Sequence, residues 1–120
     1  MQPLFDPARH EPLTATPWHP DLAMAAITRI AAAAEAEFDE REGSWLLHPD
    51  DEPPHQGARS SNLYWGAAGV IWALAYLRKV GAADSPSFAQ HLEALRVRNR
   101  ASLAGMPGDN TGSYLMGDLP

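Results

Sequence analysis

Apolar residues fall into three helical patterns along this chain. Leu22, Ala26, Ile27, Ile30, Ala34 and Phe38 recur at helical spacing, while Arg29, Glu35 and Glu37 lie off that stripe. The spacing predicts a one-faced helix that starts at Pro20-Asp21 and ends near Gly43; proline suits a first turn, and an acid suits the positive end of a helix. Residues 63–77, LYWGAAGVIWALAYL, then run for fifteen positions without a charged side chain. A helix that is apolar all round is buried on every side, in a large core or in a membrane. Fifteen residues fall short of the roughly 20 that span a bilayer, so the pattern predicts a fully buried core helix and no membrane span. It should run to about Lys79, with Arg78 and Lys79 in its last turn and Gly81 as a left-handed stop. Ser60, Ser61 and Asn62 are all candidates for its cap. A third helix begins at Asp84-Ser85-Pro86, with Phe88, Leu92, Leu95 and Leu103 on one side and Arg96, Arg98 and Arg100 on the other.

Between these patterns the chain is rich in breakers. Residues 1–20 form a Pro-punctuated arm on which Leu4, Phe5 and Trp18 are possible anchors. Residues 44–62 form a loop, with Trp45, Leu46 and Leu47 expected as its buried part and HPDDEPPHQGARSS as its exposed part. A turn rich in Gly, Pro, Asp and Asn fills Gly105 to Gly112, and Tyr114-Leu115-Met116 opens another apolar segment. No strand pattern of any weight occurs. The reading is an all-α domain over residues 21–120, preceded by the arm.

Charge and cysteine content narrow the function classes. The 120 residues carry a net charge of −6, which argues against nucleic acid as partner, since that needs a clustered basic footprint. Arg96, Arg98 and Arg100 read as a solvated helix face. With no cysteine, the chain can form no disulfide and supply no thiolate. No basic-then-apolar secretory leader is visible in MQPLFDPARHEPL, so the cytoplasm is the expected location.

Candidate chemistry is sparse. His48-Pro49-Asp50-Asp51-Glu52-Pro53-Pro54-His55 gathers acids and imidazoles, but without helical ligand spacing or a calcium-loop register. It reads as a solvated acidic loop. His91 reads as a helix-flank histidine, and His10 and His19 as unremarkable residues of the leader. Trp65 and Trp72 are seven apart on one face of the apolar helix, where core packing outweighs a role in stacking on a ligand. Asp118 suits a helix start. No Walker loop, nucleophile elbow or HExxH occurs, so no catalytic, cofactor-binding or metal-binding residue is nominated.

A repeat gives the sharpest signal. Leu63-Tyr64-Trp65-Gly66-Ala67-Ala68-Gly69 and Tyr114-Leu115-Met116-Gly117-Asp118-Leu119-Pro120 each follow a small or polar run with three large residues and a glycine, about 50 residues apart. Periods of this length are typical of helical-pair arrays and closed rings. Glycine near a helix start lets another backbone come close or supplies an unusual φ. The phrase NLYWGAAGVIWALAYL resembles the first inner-helix motif of the lanthionine synthetase C-like (LanC-like) family, and SYLMGD resembles the opening of the next. LFDPARHEPL, followed by a helix, is similar to bacterial LanC-like leaders. In that family, GxxG-type motifs start the seven inner helices of an α/α toroid, and amphipathic helices form an outer ring. Gly66 and Gly69 match the motif in full; Gly117 matches its first glycine, and Pro120 stands where the second belongs.

The resemblance implies the first quarter to third of a family member, as an N-terminal fragment holding the first hairpins of the toroid. Family cyclases bind zinc through two cysteines and a histidine of later repeats, and the metal activates a substrate cysteine thiol that adds to a dehydrated Ser or Thr in a peptide. A peptide or thiol substrate and zinc are therefore implied for the full-length protein, and none of the ligands lies in this chain. Alone, the chain is expected to be inert. The alternatives are a small non-enzymatic helical interaction module, or part of a carbohydrate-active α/α toroid. Wetting 400 Å² of an apolar helix costs roughly 10 kcal/mol, comparable with the stability of a whole domain. The isolated polypeptide is expected to be marginal, self-associating through residues 63–77, or aggregation-prone.

Overall fold

The computed structural model describes residues 17–48, 50, 57–105 and 112–113. It contains three α-helices in chain order, α1 (Pro20–Ala36), α2 (Ala67–Lys79) and α3 (Leu92–Ala104), the last preceded by a 3-10 turn at Ala89–His91. Among the described residues there is no β-strand, only an isolated antiparallel bridge between Asp39 and Ser44. The all-α expectation holds for these residues. Residues 1–16 of the 1–20 arm, the second motif at 114–120 with Gly117, and most of the acidic loop lie outside the described residues, while Trp18, expected as an anchor of the arm, is exposed.

Helix α1 starts where proline and acid place it, with Pro20 and Asp21 in its first turn. It stops at Ala36 and does not continue to Gly43. The reason is Asp39, whose Oδ1 accepts the backbone N–H groups of Arg41 at 3.0 Å and Glu42 at 3.2 Å. A side chain that captures backbone N–H groups two and three residues ahead competes with the helical ladder. Gly43 closes the resulting turn at φ +60°, in the left-handed region, and donates its N–H to the Asp39 carbonyl at 2.7 Å. Burial along α1 is deepest at Ala31, with Ala34 and Phe38 packed against the core, whereas Leu22 and Ile30 are 68% and 64% exposed. The predicted stripe is thus covered only toward the end of the helix.

The core joins Ala31 of α1, Trp45 of the loop, Ala67, Ile71 and Leu74 of α2, Phe88 just before the 3-10 turn, and Leu95 of α3. Trp45 anchors the loop as expected. Its ring centroid lies 4.7 Å from Phe38 and 5.3 Å from Phe88, and its Nε1–H donates to the Ala34 carbonyl at 2.6 Å. Leu46 departs from expectation and is 59% exposed, beside a buried Trp45. Leu47 is half-buried and donates its N–H to the Ala58 carbonyl at 2.9 Å.

Helix α3 starts later than Asp84-Ser85-Pro86 suggests. Residues 83–88 are irregular, and the Ser87 hydroxyl accepts the Ala89 N–H at 3.4 Å as the 3-10 turn begins. Phe88, Leu95 and Leu103 are buried as the stripe requires, with Asn99 also buried on it, while Leu92 is partly open. Gly81 adopts φ +72° and ends α2 as predicted, with the Ala82 N–H reaching back to the Leu77 carbonyl at 2.9 Å. No helix among the described residues is long and apolar enough to cross a membrane.

Candidate functional site: the entrance and outer face of α2

The residues leading into α2 form a tight turn held by backbone and one amide. Buried Asn62 accepts the Trp65 N–H on its Oδ1 at 3.0 Å, and the Ser60 carbonyl accepts the Ala67 N–H at 2.9 Å. Gly66 occupies the N-cap position itself, with no side-chain cap. Two of the three candidate caps divide the work: Asn62 closes the turn through its side chain, and Ser60 through its carbonyl.

Both motif glycines are sterically required. A Cβ on Gly66 would sit 2.5 Å from the Asn62 nitrogen and 2.6 Å from its carbonyl oxygen; one on Gly69 would overlap the carbonyl oxygen of Leu63. Neither glycine has a positive φ, so close approach of backbone, and not an unusual dihedral, explains the GxxG spacing. The turn of residues 60–63 is folded directly onto the first turn of the helix.

The rest of α2 overturns the expectation of burial on all sides. Ala67, Ile71 and Leu74 are buried against the core, but Trp72 is 63% and Tyr76 52% exposed. Their rings stack, with centroids 5.6 Å apart and planes 11° from parallel. Trp65, in the turn before the helix, is also exposed and lies beside Tyr64, with centroids 5.6 Å apart. The core-packing reading of Trp65 and Trp72 is thereby corrected. Two flanking helices cover one side of α2 among the described residues, and the other side is an uncharged aromatic face.

A second polar cluster, without a sequence signature, braces the loop on the inner side. Arg59 donates to Asp39 Oδ2 at 2.6 Å and to the Ser44 carbonyl at 2.8 Å, tying the α1 exit to the α2 entrance. The Glu42 N–H foremost, joined by the Arg59 charge and the Arg41 N–H, outweighs desolvation, the second-largest influence, and holds the Asp39 carboxyl below the usual carboxylate range. A carboxyl with a lowered folded-state pKa adds stability above its unfolded pKa and loses it as pH falls through the folded value. Asp39→Asn should therefore weaken the fold at neutral pH and flatten its loss of stability below the ordinary carboxylate range, as read from urea midpoints across an acid series. An unchanged acid profile would show that Asp39 does not contribute in this way.

His91 is more than a flanking residue. Its ring packs on Phe38 at 5.0 Å, and a Cβ at Gly43 would lie 2.8 Å from its Nδ1. Its Nε2 is buried without a hydrogen-bond partner, and Glu40 Oε2 stands 4.0 Å away. Together with Glu40, Arg41, Glu42, Ala94, Val97 and Arg98 it borders an open depression of about 510 Å³. Arg98 departs from the solvated face by donating to the Glu42 carbonyl at 2.8 Å, whereas Arg96 pairs with Glu93 on the surface. His48 and Asp50 are exposed, with His48 Nδ1 3.7 Å from Asp50 Oδ2, and His19 precedes α1 in solvent. Among the described residues no group of three His, Cys, Asp or Glu stands together as a metal site. Comparison with protein-family models, curated proteins and solved structures finds no match to this chain.

Proposed function

We propose that this chain supplies the first inner helix, α2, and its two flanking helices in a LanC-like α/α toroid. The observation that carries the reading is the pair Gly66 and Gly69, both pressed against the backbone of residues 60–63 at the entrance of an uncharged helix. A ring of hairpins gives such a helix neighbours on either side, and α1 and α3 cover one side only. On this reading the longer protein resembles the zinc-dependent cyclases that add a cysteine thiol to a dehydroamino acid within a peptide. The residues present do not fit that zinc site, because the chain has no cysteine. Its contribution is scaffold, and the 120 residues alone are inert.

Translation of the coding DNA past codon 120 tests the proposal. Further GxxG helix starts at intervals of about 50 residues, followed by two cysteines and a histidine, would support it. A continuation without such helix starts would overturn it. A non-enzymatic interaction module is the second reading, favoured by the exposed Trp72–Tyr76 stack, since a contiguous open apolar patch marks a binding surface.

A further inference from the structure

We propose that Glu40 and His91 form an acid-operated clasp between the turn after α1 and the start of α3. His91 closes the 3-10 turn and stands at the N-cap of α3. Its ring is held from two sides, by Phe38 at 5.0 Å and by Gly43, where a Cβ would come within 2.8 Å of Nδ1. The other ring nitrogen, Nε2, is buried without a hydrogen-bond partner. Glu40 Oε2 stands 4.0 Å from it, too far for a hydrogen bond, on a side chain that is 82% exposed and free to rotate inward. One partner is fixed and the other can move.

In a neutral imidazole Nε2 offers either a lone pair, which a carboxylate repels, or one uncharged N–H. Protonation makes both ring nitrogens donors, and a charged N–H bonds a carboxylate about twice as strongly as a neutral one. Imidazole changes charge near neutral pH, so the clasp closes in mild acid. The positive end of α3 and the lost hydration of a ring only 20% exposed oppose the charge, but they act with or without Glu40. Arg41 and Glu42 of the turn and Arg98 of α3 are the other charged groups around the depression. With Glu40 they make two acids and two cations, a near balance that leaves the acid at 4.0 Å to decide. Arg98 already ties this turn to α3 through the Glu42 carbonyl, and the clasp adds a second tie two helical turns earlier. It also complements the Asp39–Arg59 tie, which weakens once pH falls through the carboxylate range. Between the imidazole and carboxylate ranges both ties act, and the turn is held most firmly there. This inference is independent of the toroid reading.

Urea unfolding of the 120-residue chain at about pH 5.5 and about pH 8, on either side of the ordinary imidazole value, tests the clasp. Glu40→Gln should lower the folding equilibrium constant about 3- to 5-fold at the lower pH, the upper range for ion pairs that are not fully buried, and should not lower it at the higher. In a His91→Gln background the same substitution should have no effect at either pH, since a mutant cycle isolates the pair. Glu42→Gln removes another acid from the same depression and should show no such dependence on pH. The imidazole N–H signal of His91 gives a second reading that needs no change at His91. At the lower pH it should exchange slowly with water in the parent and rapidly in Glu40→Gln. A Glu40→Gln effect equal at both pH values, one that persists without His91, or one that Glu42→Gln reproduces would overturn the proposal; so would rapid exchange in the parent.

Discussion

Gly69→Ala is expected to cost about 3 kcal/mol or more, which would remove over half of the stability if that lies near the lower end of the usual 5–15 kcal/mol. Two effects oppose each other here. Alanine is the better helix former by about 1 kcal/mol, which alone would make the substitution stabilising. The new methyl, however, would overlap the Leu63 carbonyl oxygen, and backbone on a closed turn cannot swing aside as a flexible side chain can. Steric conflict wins. Gly66→Ala should behave alike, because its methyl meets the Asn62 backbone on two atoms. Gly105→Ala provides the contrast: its nearest obstacle is the Ser102 carbonyl oxygen at 3.6 Å, so it should stay within about 0.5 kcal/mol of the parent. Urea unfolding of the three variants checks the order, and a neutral Gly69→Ala would remove the steric basis of the motif.

Trp45→Ala should be comparably severe, losing about 3–5 kcal/mol through the cavity it leaves among Phe38, Phe88 and Ala31. Part of the loss is polar. The Ala34 carbonyl lies in the last turn of α1, where intrahelical donors run out, and Trp45 Nε1–H supplies one at 2.6 Å. Trp45→Phe retains most of the ring and discards that bond, so it should cost about 1–2 kcal/mol. Thermal or urea unfolding of the two variants separates packing from hydrogen bonding. Equal losses in both would assign the whole effect to the bond.

How much of this was legible beforehand depends on whether a feature is local. Pro20-Asp21 and Gly81 marked a helix start and a helix stop because each acts on its own turn. The GxxG spacing was visible as a pattern, but only the folded turn shows that close approach, and not dihedral freedom, requires it. The end of α1 is not legible in the apolar stripe, because Asp39 captures N–H groups ahead of it, a contest that a stripe does not register. The late start of α3 has the same kind of cause, with Ser87 holding the Ala89 N–H. The Arg59–Asp39 clamp spans twenty residues without any spacing rule to announce it. The open face of α2 is hidden from the sequence for a different reason. Periodicity reports how apolar a helix is, whereas burial depends on what stands next to it, and α1 and α3 cover only the side of Ile71 and Leu74.

One-sided burial of α2 underlies the toroid proposal, and thiol labelling tests it most directly because the parent chain has no cysteine. Single variants Ala73→Cys and Leu74→Cys place a thiol on neighbouring positions, one exposed and one 4% exposed. In dilute solution the first should label at nearly the rate of an unfolded peptide. The second should be slower by about 100-fold, corresponding to an opening free energy near 3 kcal/mol. Equal protection at both positions would contradict the account by showing α2 covered all round; equally fast labelling would contradict it by showing that α2 is not packed on the core at all.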